Sequence, residues 1–169
     1  WSSDVCSSDL RRRLVWGWVD SISLQGGDLD HVVVTRSGGI VVLDSKWRSS
    51  IDADAVAEMT ASAKKAAIRA QGLARSMLKS ERGAKHRARS QPVTVIAAVV
   101  LWGAARAMVK DGREVDGVRF VDGHKLVDWL RHLDGTPVPP DAAKQLIEQL
   151  KTYRATAFKA SELRAAERQ

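Results

Sequence analysis

Two acids and a lysine stand at the ends of two apolar runs in the stretch GGDLDHVVVTRSGGIVVLDSKWRSS, Gly26 to Ser50. Side chains alternate across a strand, so Ile40, Val42, Asp44 and Lys46 share one face of the second run. The short RSGG connection folds that run back on the first, which carries the start of one beside the end of the other. Asp30 is thereby expected near Asp44 and Lys46. Two converging carboxylates repel unless a cation lies between them, and hard oxygen donors suit Mg²⁺ or Mn²⁺. An ammonium two residues along can hold a water or stabilise charge growing on a phosphate under attack. Metal-dependent phosphodiester hydrolysis is the chemistry this set fits. The plain alternative is a turn aspartate and a surface Asp44–Lys46 pair with no catalytic part.

The elements that must position these residues are legible from pattern. From Leu14 onward, three strands rich in Val, Ile and Trp are expected at about 15–24, 29–35 and 39–46, joined by QGGD and RSGG as an antiparallel meander. The segment from Ala53 to Gly83 changes period. Wound at about 100° per residue, its Val56, Met59, Ala63, Ala66, Ala67, Ala70, Leu73, Ala74 and Met77 fall on one arc. That describes a helix with a small-residue face able to lie close to a sheet. PVTVIAAVVLWG then reads as a central strand buried on both faces. A polar loop and a short strand at about 118–121 follow, then a helix in GHKLVDWLRHL and a longer one at about 140–165 opened by Pro and Asp. The expected order is β-β-β-α-β-β-α-α, an α/β (α+β) arrangement of helices on a mixed sheet.

With these residues in place, DLDHVVVTRSGGIVVLDSKW resembles the core of the nuclease-related domain, NERD, of the PD-(D/E)xK nuclease superfamily. The likeness in element order runs from Trp16 to about Leu133, and it is specific over Gly27 to Trp47. It implies a restriction-endonuclease-like fold and a Mg²⁺- or Mn²⁺-dependent nuclease acting on DNA, with RNA left open. Asp30 and Asp44 would ligate the metal, the Ser45 backbone carbonyl would complete its shell, and Lys46 would be the catalytic lysine. Asp28 competes with Asp30 as first acid, and the following His31 favours Asp30, because the family's aspartate is followed directly by histidine. The helix after the acid-x-Lys strand contributes a polar residue in this family, often Gln. Lys64 stands nearest that place here, and Gln71 could substitute. The family also has a helix before its first strands, often bringing a glutamate.

The remaining features bound the reading. Lys and Arg number 27 against 20 Asp and Glu, and the resulting +7 favours polyanionic partners. Much of the surplus lies in KSERGAKHRARSQ, where Lys79, Arg82, Lys85, Arg87 and Arg89 would contact phosphate under a nuclease reading and would otherwise be a solvated connection. Trp47 and Trp102 are expected to be packing caps at strand ends, Trp129 a core residue, and His31 an orienting or packing residue. A single cysteine, Cys6, excludes an internal disulfide framework and a cysteine-rich zinc site, which suits a reducing, cytoplasmic setting. No apolar run is long enough to span a bilayer. Residues 1–13 resemble a translated sequencing-adaptor tail, so the native N-terminus is expected to be missing and 14–169 to form one domain. Besides the enzyme, two non-catalytic readings stand: an accessory domain that binds nucleic acid, and a protein-interaction module.

Overall fold

The computed structural model describes residues 14–24, 27–79, 93–109 and 113–166, with the side chains of 77–79 and 156–166 left out. Strands β1 (Val15–Ile22), β2 (Leu29–Thr35) and β3 (Ile40–Trp47) are followed by helix α1 (Ala53–Lys79) and strand β4 (Val95–Trp102). Strands β5 (Arg113–Val115) and β6 (Val118–Asp122) and helices α2 (Leu126–Arg131) and α3 (Pro140–Ala166) complete the chain. The strands form one sheet in the order β1-β2-β3-β4-β6-β5. The first three are the expected antiparallel meander, while β4 runs parallel to both β3 and β6.

One expectation is corrected. Arg113–Val115, read as polar loop, is a strand paired antiparallel to β6 through a turn at Asp116 and Gly117, so three strands rather than two follow α1. At three residues it has no room for an alternating pattern, and its ladder to β6 is what defines it.

The β2–β3 connection explains the register. Thr35 donates its hydroxyl to the Gly39 carbonyl at 2.8 Å and accepts the Gly38 N–H at 2.9 Å, closing the turn from inside. Gly39 has φ +84, and a Cβ there would come within 2.6 Å of the Thr94 carbonyl oxygen. The ladder that follows pairs Val34 with Ile40 and His31 with Leu43. Ile40 to Leu43 are buried on both faces of the sheet, so the turn fixes this pairing, and a one-residue slip would carry Asp44 and Lys46 to the opposite face.

Glycine therefore carries opposite weight at two positions. Gly39→Ala forces a left-handed backbone against a carbonyl and is expected to destabilise the fold by about 2 kcal/mol or more. Gly72 lies exposed in the α1 interior with open space around it. Gly72→Ala is expected to stabilise by about 0.5–1 kcal/mol, because alanine is the better helix former. Urea denaturation of the two variants gives both signs in one experiment.

Three apolar clusters hold the layers. On one face of the sheet, Val32, Val34, Ile40 and Val42 pack under Ala66, Ala70 and Ala74 of α1 and Leu146 and Leu150 of α3. Further along that face, Met59 and Ala63 of α1 cover Ala97, Val99 and Leu101 of β4 and Phe120 of β6. The opposite face, with Val33, Val41, Leu43, Ala98 and Val100, is covered by Leu126 and Leu130 of α2. The alanine stripe acts as its residue types dictate: without bulky side chains, α1 approaches the sheet closely. Asp52 accepts the Ala55 N–H at 2.8 Å and starts the helix just past the end of β3. No helix among the described residues is long and apolar enough to cross a membrane.

Candidate active site

The site is built where β2 begins and β3 ends. Carrying the His31–Leu43 pairing one residue further brings Asp30 level with Asp44. The contacts agree: the Ser45 N–H donates to Asp30 Oδ2 at 3.3 Å, and the Asp30 carboxyl acts directly on that of Asp44. A strand residue directs its N–H and its C=O to the same neighbouring strand, so the Ser45 carbonyl also faces the Asp30 side. Asp28, the competing acid, is exposed in the approach to β2.

Asp44 is the one carboxylate among the buried described residues. Its neighbour in the parallel register is Val99, fully buried beneath α1, and Lys46 is paired in the same way with Leu101. The face that β3 lends to the core therefore ends in an acid and a lysine. Lys46 Nζ lies 2.6 Å from Asp44 Oδ1, yet this buried oxygen has no hydrogen bond of good geometry. The ammonium thus neutralises Oδ1 by proximity and leaves its lone-pair directions unfilled. Burial pushes the Asp44 carboxyl above the ordinary carboxylate range; the adjacent Lys46 ammonium opposes this, and Asp30 adds to it.

These donors fit a hard divalent cation. Two carboxylates and a main-chain carbonyl are all oxygen, one oxygen is buried without a directional partner, and a positive charge there would offset both burial and Asp30 repulsion. Among the described residues no group of three or more His, Cys, Asp or Glu gathers, so such a cation would draw its other donors from main chain and water.

The remaining candidate residues are placed elsewhere. Lys64 on α1 pairs with Asp116 in the β5–β6 turn, and Gln71 donates to the Val93 carbonyl at 3.1 Å, in the approach to β4. Each is tied to structure away from the Asp44 carboxylate. The backbone of Lys79 ends α1, and Arg82, Lys85, Arg87 and Arg89 lie outside the described residues. His31 Nδ1 is 2.7 Å from Asp20 Oδ1 across the β1–β2 ladder, so it ties those strands together and is not a base aimed at Asp44.

Two features were not anticipated from the sequence. Trp47 is 79% exposed and caps nothing, whereas Trp102 does pack, against Gly123 and edge-on to His124. Arg69 on α1 rests its guanidinium against Gly27, where a Cβ would sit 3.0 Å from two of its nitrogens, adding a cation beside the loop that leads to Asp30. Only the position of Arg69, one residue from the buried Ala70 on the apolar arc, hinted at its place.

No protein-family model matches the chain, and neither a curated protein nor a solved structure matches it.

Proposed function

We propose that the domain is a NERD-type, restriction-endonuclease-like nuclease that hydrolyses DNA phosphodiester bonds with Mg²⁺ or Mn²⁺ held by Asp30, Asp44 and the Ser45 carbonyl. The observation that carries this reading is the buried Asp44 carboxyl, with one oxygen short of hydrogen bonds, between Asp30 and the Lys46 ammonium 2.6 Å away. When bound, the metal would supply Lewis acidity, drawing charge from the phosphate oxygens. Lys46, one-third exposed, is free on its outer side to orient a water and to donate to a phosphate oxygen as charge grows there. The water oxygen bonds to phosphorus, the bond from phosphorus to the leaving sugar oxygen breaks, the water's proton passes to solvent, and the leaving oxygen takes one up.

The test is incubation of the protein with supercoiled, linear and single-stranded DNA plus Mg²⁺ or Mn²⁺. Metal-dependent cleavage that co-purifies with the protein is expected. Metal-insensitive binding without turnover would instead favour a non-catalytic nucleic-acid-binding domain, and absence of both binding and turnover a protein-interaction module.

The basic run from Lys79 to Arg89 is assigned to the DNA backbone, on sequence. Arg87→Glu with Arg89→Glu is expected to flatten the slope of log affinity against log salt by about two units, one per lost phosphate contact, with Mn²⁺ affinity unchanged. An unchanged slope in a salt titration would return this run to a solvated connection.

A further inference from the structure

The proposed mechanism leaves unused the most exposed large apolar side chain among the described residues, Trp47, at the very end of β3. Its surroundings are built rather than loose. The Arg48 N–H donates to the Trp102 carbonyl at 3.2 Å and the Ala105 N–H donates to the Arg48 carbonyl at 3.1 Å, so the backbone around the indole is fixed on both sides. Gly103, at φ +74, gives the indole its seat: a Cβ there would come within 3.1 Å of Trp47 Nε1 and 2.6 Å of the Arg48 carbonyl oxygen. Trp102, its partner in the parallel register, lies alongside, held by Gly123 and His124.

The charges near Trp47 in the chain bear on the kind of ligand. Arg48 is exposed and Arg106 half-buried, and neither has an ion-pair partner among the described residues. Asp52 and Asp122 accept the Ala55 and His124 N–H groups, which fixes these carboxylates without removing their charge. A large exposed π-face, with an arginine free of ion pairs among the described residues next to it in the chain, is what stacking proteins present to nucleobases.

Position then narrows the ligand to unpaired bases. Lys46 and Trp47 are consecutive, about 3.3 Å apart along β3, and their side chains leave opposite faces of the sheet. A strand whose phosphate reaches Lys46 can place a base on Trp47 only by passing that base around the sheet end. Bases of a duplex are held in their own stack and cannot do this. We propose that Trp47 is a stacking platform for an unpaired nucleobase next to the phosphate held at Asp44 and Lys46, which makes single-stranded or frayed nucleic acid the preferred substrate. This rests on nucleic acid being the ligand of the adjacent site.

Anisotropy titrations in EDTA, with a labelled thymidine oligonucleotide and a duplex of equal length, test it without turnover. Trp47→Ala is expected to weaken single-strand binding about ten-fold or more and duplex binding less than two-fold, with Trp47→Phe retaining most of the affinity. Equal losses on both ligands, no loss on either, a phenylalanine variant as weak as alanine, or wild-type binding to neither ligand would overturn it. So would sedimentation showing that Trp47→Ala dissolves a dimer, since a second copy would then own the surface. The two proposals fail separately. Trp47-dependent binding with no cleavage in Mn²⁺ sinks only the nuclease, and cleavage with Trp47→Ala binding unchanged sinks only the platform.

Discussion

Lys46→Ala is expected to reduce cleavage by a factor on the order of 10² or more while DNA and metal affinity stay within a few-fold, the pattern for a group acting mainly in the transition state. The geometry gives the reason. In the resting protein Lys46 contributes charge next to Asp44, and its one-third exposure lets water reach the space it leaves. What disappears is the ammonium at the place where the attacking water and the charged phosphate meet. Lys46→Arg is expected to be nearly as inactive, because a planar guanidinium cannot occupy the same point near Asp44 as a compact ammonium. Single-turnover cleavage of a labelled substrate, with binding measured separately, reads both variants. Full activity in a clean Lys46→Ala preparation would sink the mechanism and place the chemistry elsewhere. If the wild type never cleaves, and Lys46→Ala only weakens DNA binding modestly, the lysine is a phosphate contact in a non-catalytic domain.

How much of this was legible in the sequence depended on how local its cause is. The hairpin that aligns Asp30 with Asp44 follows from two β-branched runs and a glycine turn, all within 16 residues of Asp30. The alanine arc of α1 is a local period, and the structure buries four of its alanines against the sheet. By contrast, Lys64 and Gln71 border the right arc of the right helix, yet their side chains are taken by Asp116 and by the Val93 carbonyl. Helix winding reports the direction in which a side chain leaves the axis. It says nothing of which distant loop waits there, and the loop that captures Lys64 exists only because β5 pairs with β6. Trp47 failed for a related reason. Alternation assigns it to the α2 face of the sheet, but that helix covers Val41 and Leu43 and not the end of the strand. A pattern names a face; coverage along it is a tertiary fact.

Asp44→Ala is expected to abolish divalent-cation binding and, in metal-free solution near neutral pH, to leave the protein at least as stable as wild type. Both outcomes follow from one perturbed group. Burial, with Asp30 adding to it and Lys46 opposing, pushes the Asp44 carboxyl above its ordinary range, so the folded protein holds that proton more tightly than the unfolded chain. Stability linked to Asp44 is therefore complete below the unfolded carboxylate pKa and is lost as pH rises from there through the raised folded value. Above the raised pKa the wild type bears the cost of a buried, ionised carboxylate, and alanine removes it. The exposed part of Lys46 lets water solvate the ammonium once its partner is gone. Metal inverts the argument. Only the ionised carboxylate binds, so cation binding by wild type releases a proton at pH below the raised pKa, and affinity falls about ten-fold per pH unit in that range. Thermal melts across pH, with and without Mn²⁺, separate the terms. Wild type should gain stability from Mn²⁺ increasingly as pH rises, and Asp44→Ala should gain none at any pH. Calorimetry in buffers of different ionisation enthalpy should show proton release for wild type alone. A variant that binds Mn²⁺ as tightly as wild type would mean that the metal, if it binds, does not bind between Asp30 and Asp44. A variant that unfolds at neutral pH without metal would mean that the Asp44–Lys46 pair holds the fold together, and the unfilled oxygen would then lose its functional reading.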